Sequence, residues 1–400
     1  MSGRDSGASR VALVAGVCSL LALQGCSRDA ARPAKQTDSR SADVGILQTS
    51  WSANAAESYL DQREKWWIAW STAARDRGTF CISCHTSVPY ILARSAVRTA
   101  SREKGLSSVE QALFDNTTRR VRLWNEIEPY YADTALERTE SRATEAVLNA
   151  LVLASRDSQT GKLRDDTRTA LSNMWSLQIT SGKHKGAWLW QQFGLNPWEN
   201  ADSVYFGATL AALAVATAPE RYSALPEVQD HLNLLRAYLV REFPTQSLLN
   251  KTYALWASTK LPKLLEPERQ KSLIGEVLEK QEPDGGWNLY GLTLTWSWKS
   301  MHLSSILSLG RRADETKQET GSDGLATGLA VFVLQEAGVD KNSRQLKRGL
   351  SWLVANQNKD EGSWAAASLN KRRDPSSNVG RFMSDAATAY ALMALNKSID

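Results

Sequence analysis

Gln281-Glu282-Pro283-Asp284-Gly285-Gly286-Trp287 ends one helical stretch and turns the chain toward the next. An apolar period runs through residues 267–281, so the segment before it reads as an amphipathic helix. The glutamine can cap backbone groups at that helix end, the glycines permit a tight turn, and the tryptophan covers the joint. A second copy is Arg348-Gly349-Leu350-Ser351-Trp352-Leu353-Val354-Ala355-Asn356-Gln357, followed by Gly362-Ser363-Trp364. Gln178 with Gly186-Ala187-Trp188 is a stretched copy, and Gly78-Thr79-Phe80 looks like a degenerate one without its glutamine.

Between these marks the chain alternates helices in pairs. Periodicity places them at 55–70 and from Ser87 or Pro89 onward, at 109–128 and 140–155, and at 167–178 and 202–218. Further pairs fall at 228–243 and 247–260, at 267–281 and 323–338, and at 343–357 and 385–396. Repeats of this length, one helix pair each, predict a solenoid or a closed ring of hairpins.

The Gln-x-x-x-Gly-x-Trp core resembles the Gln-Trp repeat of squalene–hopene cyclases and related prenyltransferase-like proteins. The resemblance covers roughly residues 57–398, with one unit matching fully. It implies an all-α fold, an α/α toroid of about six helical hairpins over residues 55–400. The chemistry of those families does not carry over. The cyclases use an Asp-x-Asp-Asp proton donor, whereas Arg164-Asp165-Asp166-Thr167 lacks the first Asp and reads as a helix start. The prenyltransferases hold zinc with Asp, Cys and His. Here only Cys84 and His85 are at hand, and both belong to another motif.

That motif is Phe80-Cys81-Ile82-Ser83-Cys84-His85-Thr86, at the joint of the first hairpin. Cys-x-x-Cys-His is the attachment signature of c-type haem: two thiols add to the vinyl groups and the adjacent imidazole binds iron. With four Cys and four His in the chain, the chance of a fortuitous match is about 0.0004. Three other readings compete: a disulfide between Cys81 and Cys84, half of a zinc site, or a dithiol redox pair. Zinc lacks a second cysteine pair, and no βαβ pattern supports the dithiol.

The N-terminus reads as a processing signal. Arg4 and Arg10 precede an apolar run too short to span a bilayer, followed by Leu23-Gln24-Gly25-Cys26. This resembles the lipobox of bacterial lipoproteins, which implies a signal peptide over 1–25 and acylation of Cys26. Ser27 after it favours the outer membrane by the same resemblance, and residues 26–54 read as a flexible tether. The expected address is therefore the periplasmic side of the outer membrane, with the membrane as partner through the lipid anchor. Haem c is attached outside the cytoplasm, in agreement. The net charge of +5 and the lack of a basic run with interleaved aromatics exclude nucleic acid.

Ala201-Asp202, Ser322-Asp323 and Ser384-Asp385 each precede an inner-type apolar helix. Ser and Asp are good N-caps, which accounts for them structurally. In a toroid these helix starts also meet at one mouth, so Asp202, Asp323 and Asp385 are candidate mouth residues. The loops before them carry Trp190, Trp198, Trp296 and Trp298 as candidate walls. After the haem motif the loop has almost no length, which leaves room for a porphyrin. His85 is the proximal ligand. Met383 is the first candidate for the far side, ahead of Met301 and His302; His184 is a further candidate, while His231, Met174 and Met393 read as packing or surface.

Three functions follow: a redox protein with haem c acting on a periplasmic partner or a small apolar molecule, a cyclase-like enzyme using the ring's cavity, or a haem-free binding scaffold.

Overall fold

A computed structural model describes residues 51–101, 105–294, 321–370 and 372–398, all within one compact unit over 49–400. The first hairpin pairs α1 (Ala53–Ala69) with α2 (Ser87–Ser101), and the second α3 (Ser108–Arg122) with α4 (Ala135–Ser158). The third pairs α5 (Asp165–Ser176) with α6 (Ser203–Thr217), and the fourth α7 (Gln229–Glu242) with α8 (Leu248–Lys260). The fifth runs from α9 (Pro267–Glu279) through the short α10 (Leu289–Thr293) to α11 (Gly324–Glu336). The sixth pairs α12 (Arg344–Ala355) with α13 (Phe382–Lys397). Between α1 and α2 lies a small antiparallel pair, β1 (Ala74–Arg75) and β2 (Thr79–Phe80), in the register Ala74↔Phe80 and Arg75↔Thr79.

The second helix of each hairpin packs on the next: α2 on α4, α4 on α6, α6 on α8, α8 on α11 and α11 on α13. Finally α13 returns onto α2. The molecule is an α/α toroid of six hairpins. Composition decides which helices go inside. Residues 203–215 of α6, 324–334 of α11 and 385–395 of α13 are all buried, as small apolar residues on every side of a helix require. The outer α12 buries only Leu346, Gly349, Leu350 and Leu353, a single helical stripe.

The Gln-Trp units form the joints. Gln178 donates to the carbonyls of Gly186 and of His231 on α7, at 3.1 and 3.0 Å. Gln281 donates to Gly285 and to Gln345 on α12, at 2.8 and 2.7 Å. Gln357 donates to Gly362 and to Ser52 before α1, both at 2.9 Å, and accepts from the Ser52 N–H at 2.7 Å. Trp188, Trp287 and Trp364 donate from Nε1 to the carbonyls of Met174, Val277 and Leu353, each four residues before its glutamine. Gly186, Gly285 and Gly362 all have positive φ and lie against the next outer helix. The third unit therefore ties the last hairpin to the first and closes the ring.

The first joint differs. Gly78 shares the positive φ of the joint glycines, but a Cβ on it would meet nothing within 4 Å, so it does not lie against the next outer helix. Instead Asn116 on α3 brackets Phe80, accepting from its N–H at 2.9 Å and donating to its carbonyl at 3.1 Å. Two helix ends also move from their predicted places. The helix expected over 109–128 stops at Arg122, and a Thr134/Glu137 capping box starts α4 before residue 140. The axis of the ring is filled. Tyr253 on α8 meets Phe206 on α6 at 5.0 Å and Tyr390 on α13 at 6.1 Å, and Trp256 on α8 packs on Phe332 and Tyr390.

Candidate functional site

The Cys-x-x-Cys-His segment runs from the β1/β2 pair into the first turn of α2. The Cys81 N–H donates to the Ala73 carbonyl, extending that pairing. The Ser83 hydroxyl accepts from the N–H groups of Thr86 and Ser87 at 3.1 and 3.0 Å, so it caps the turn that holds Cys84 and His85. From α1, the Trp67 indole donates to the Cys81 carbonyl at 2.7 Å. Arg120, fully buried on α3, donates to Thr79 and to the Glu128 carbonyl and pairs with Glu145.

Both thiols are free, with Cys81 5% and Cys84 6% exposed. Burial pushes the Cys81 thiol up to about 12 and the Cys84 thiol well above its usual range. The His85 ring is stacked on Phe382 of α13, 3.9 Å between centroids, with Trp67 edge-on at 5.1 Å and Trp198 at 6.5 Å. Its pKa is pushed down to about 3, first by burial and then by the charges of Arg63 and Arg373.

Behind the imidazole lies a chain of polar groups. His85 Nδ1 is 2.8 Å from Thr86 Oγ1, and the Thr86 hydroxyl donates to Asp385 Oδ2 at 2.7 Å. Arg63 holds Asp385 through Nε at 2.7 Å and Nη2 at 3.1 Å, and Tyr59 donates to Oδ1 at 3.0 Å. Arg63 is itself fixed by the Asn378 side chain and carbonyl. Burial raises the Asp385 carboxyl, while Arg63, Thr86 and Tyr59 oppose that shift. Glu64, next to Arg63 in sequence, is fully buried, and neither of its carboxyl oxygens has a hydrogen-bond partner of good geometry. Burial lifts it to about 8, with Ser87 opposing and Asp385 adding. Glu199, half-buried beside the cysteines, is lifted by burial to about 7.

The three aspartates expected at the mouth are not equivalent. Asp323 is the N-cap of α11, accepting from the N–H groups of Leu325 and Ala326 at 2.9 Å. Asp202 occupies the cap position of α6, exposed and without a side-chain cap bond. Ser384-Asp385 does not begin its helix: α13 starts at Phe382, and Asp385 turns inward to Arg63. Met383 is buried in the first turn of α13. Its neighbour Phe382 supplies the ring on His85. Trp198 stands by His85, but Trp190 is core, donating to the Trp198 carbonyl and packing on Phe206. His231 bonds Gln178 and stacks on Trp175. Cys26, Trp296, Trp298, Met301 and His302 lie outside the described residues.

The donor set fits covalent haem: two thiols three positions apart, an adjacent imidazole with Nδ1 engaged, and aromatic walls. Among the described residues nothing bonds to His85 Nε2, and no group of three His, Cys, Asp or Glu is placed to hold a metal ion. The open space expected after the short loop is not there. Phe382, Trp67 and Trp198 fill it, burying their apolar faces on one another and on His85. Arg63, Tyr59, Glu64 and Phe382 were given no site role from the sequence, and Thr86 stood there only as the end of the motif. Their only signal was helical spacing, Tyr59 and Arg63 being four apart.

No protein-family model matches the chain, and no curated protein is similar to it in sequence. One similar solved structure is a glycosidase variant in complex with glucose, at 11% identity and a TM-score of 0.47. The match covers 86% of this chain and 97% of that one. It brings no site residue with it.

Proposed function

We propose that this chain is a c-type haem protein built on an α/α toroid, anchored through an acylated Cys26 on the periplasmic side of the outer membrane. The observation that carries this reading is the grouping of two free thiols with an imidazole whose Nε2 has no protein partner among the described residues. Cys81 and Cys84 would hold the group as thioethers and His85 Nε2 would bind its iron. Met383 remains the candidate for a second iron ligand. When bound, the haem supplies a one-electron ferric/ferrous couple.

The remaining work falls to the protein's own residues. Trp67, Phe382 and Trp198 pack around the half-buried imidazole and limit its contact with water, which strengthens the charge interactions beside it. The aromatic filling of the axis supports electron transfer to a periplasmic partner over chemistry on an apolar molecule held inside the ring. It also counts against a cyclase-like enzyme, which needs that space empty.

The test is a reduced-minus-oxidised spectrum of mature protein made alongside a haem-attachment system, with haem staining after denaturing electrophoresis. Wild type retains stained haem and Cys81→Ala/Cys84→Ala does not; an unstained wild type ends the proposal. Cys26→Ser should release the protein from membranes or leave the precursor uncut. A soluble wild type starting elsewhere refutes the anchor.

A further inference from the structure

Taking the haem reading as its basis, we infer that Thr86 and Asp385 are positioning residues for the iron ligand: they fix His85 in the tautomer with its proton on Nδ1. The direction of the hydrogen bonds follows from what each group can do. A carboxylate only accepts, and Asp385 faces four donors: two guanidinium N–H groups of Arg63, the Tyr59 hydroxyl and the Thr86 hydroxyl. The Thr86 proton is therefore committed to Asp385 Oδ2. With that proton spent, Thr86 Oγ1 has only lone pairs to offer at 2.8 Å from His85 Nδ1, so Nδ1 must be the donor. Nε2 then holds the lone pair, the form a metal ligand needs.

The chain of contacts also decides ligand strength. An Nδ1–H that donates toward a buried anion makes the imidazole more basic, which favours the ferric state. The anion comes from far along the chain. Asp385 lies 299 residues after Thr86, on the last inner helix, and Arg63, which holds it, sits on the first outer helix. The sixth hairpin thus orients the ligand carried by the first, and ring closure and ligand geometry are one device.

The test starts on haem-free protein at pH 7.5, with nitrogen-15 histidine spectra and the His85 signal assigned through His85→Gln. Wild type should show a single tautomer protonated on Nδ1. Thr86→Val, which leaves the Arg63–Asp385 pair intact, should give a mixture with substantial Nε2–H; Thr86→Ser should restore the wild-type signal. Asp385→Asn should act like Thr86→Val, and if it fails to fold the two Thr86 variants still decide. In haem-loaded protein, Thr86→Val should shift the ferric/ferrous balance at fixed poise toward ferrous by about threefold or more, and Thr86→Ser should not. An Nε2–H tautomer in wild type, or a Thr86→Val spectrum and balance identical to wild type, overturns the inference. Wild type that attaches no haem removes the haem reading alone, because the tautomer is read without it.

Discussion

Glu64 carries its carboxyl into the joint between α1, α2 and α13, where neither oxygen has a hydrogen-bond partner of good geometry, one residue from an arginine that is fully engaged elsewhere. Burial raises its pKa from 4.5 to about 8, so the folded protein holds a proton that the unfolded chain has already lost at neutral pH. The stability tied to that proton is complete below about 4.5, declines as the pH rises, and is gone above about 8. Glu64→Gln removes the titration. In urea melts between pH 5 and 9, wild type should lose about 3 to 5 kcal/mol relative to Glu64→Gln, and parallel curves would refute this. Asp385 shows the opposite solution to the same burial, four donors around one carboxylate. Cys81, Cys84 and His85 could be read in the sequence because their chemistry is local. Arg63 and Asp385 could not. Each looks alone like an ordinary helix charge, and their pairing exists only after two distant hairpins meet.

Gly362 sits at φ +79°, where an added Cβ would come within 2.4 Å of the Ala55 backbone. A Cβ on Gly275, half-buried within α9, would meet nothing within 4 Å. Gly362→Ala should therefore destabilise by roughly 2 to 4 kcal/mol, through strain and a pushed-apart joint. Gly275→Ala should stabilise by about 0.5 to 1 kcal/mol, since Gly is the poorer helix former. Thermal melts of the two variants check both signs; equal shifts would mean the joint is not tight. Elements were legible where one physical rule governs them. The stripe of Leu346, Leu350 and Leu353 marks an outer helix, and small apolar residues all round mark an inner one. The start of α13 was not legible, because Ser384-Asp385 has the chemistry of a cap. Phe382 and Met383 extend the helix before it, Phe382 stacking on His85 and Met383 buried.

Six hairpins could be counted from the repeats, but closure rests on contacts that no local pattern announces: Gln357 with Ser52, Arg63 with Asp385, and Phe382 on His85. At this scale the two thiols are covered, while His85 stays half-buried. In haem-free folded protein, alkylation of Cys81 and Cys84 at pH 8 should be at least about a hundredfold slower than in denaturant, since the thiols are covered and protonated. Fast labelling without denaturant would show that the mouth opens readily. The seal also implies an order in time. The cysteines leave the synthesis machinery some 300 residues before Phe382 and Asp385, so at about 5–20 residues per second they stay uncovered for tens of seconds. On the proposed haem reading, the cofactor is attached before the sixth hairpin docks, on a chain whose lid is not yet in place. Premature docking of the sixth hairpin would lock the protein empty, so folded haem-free protein should take up haem more slowly than the same chain presented unfolded.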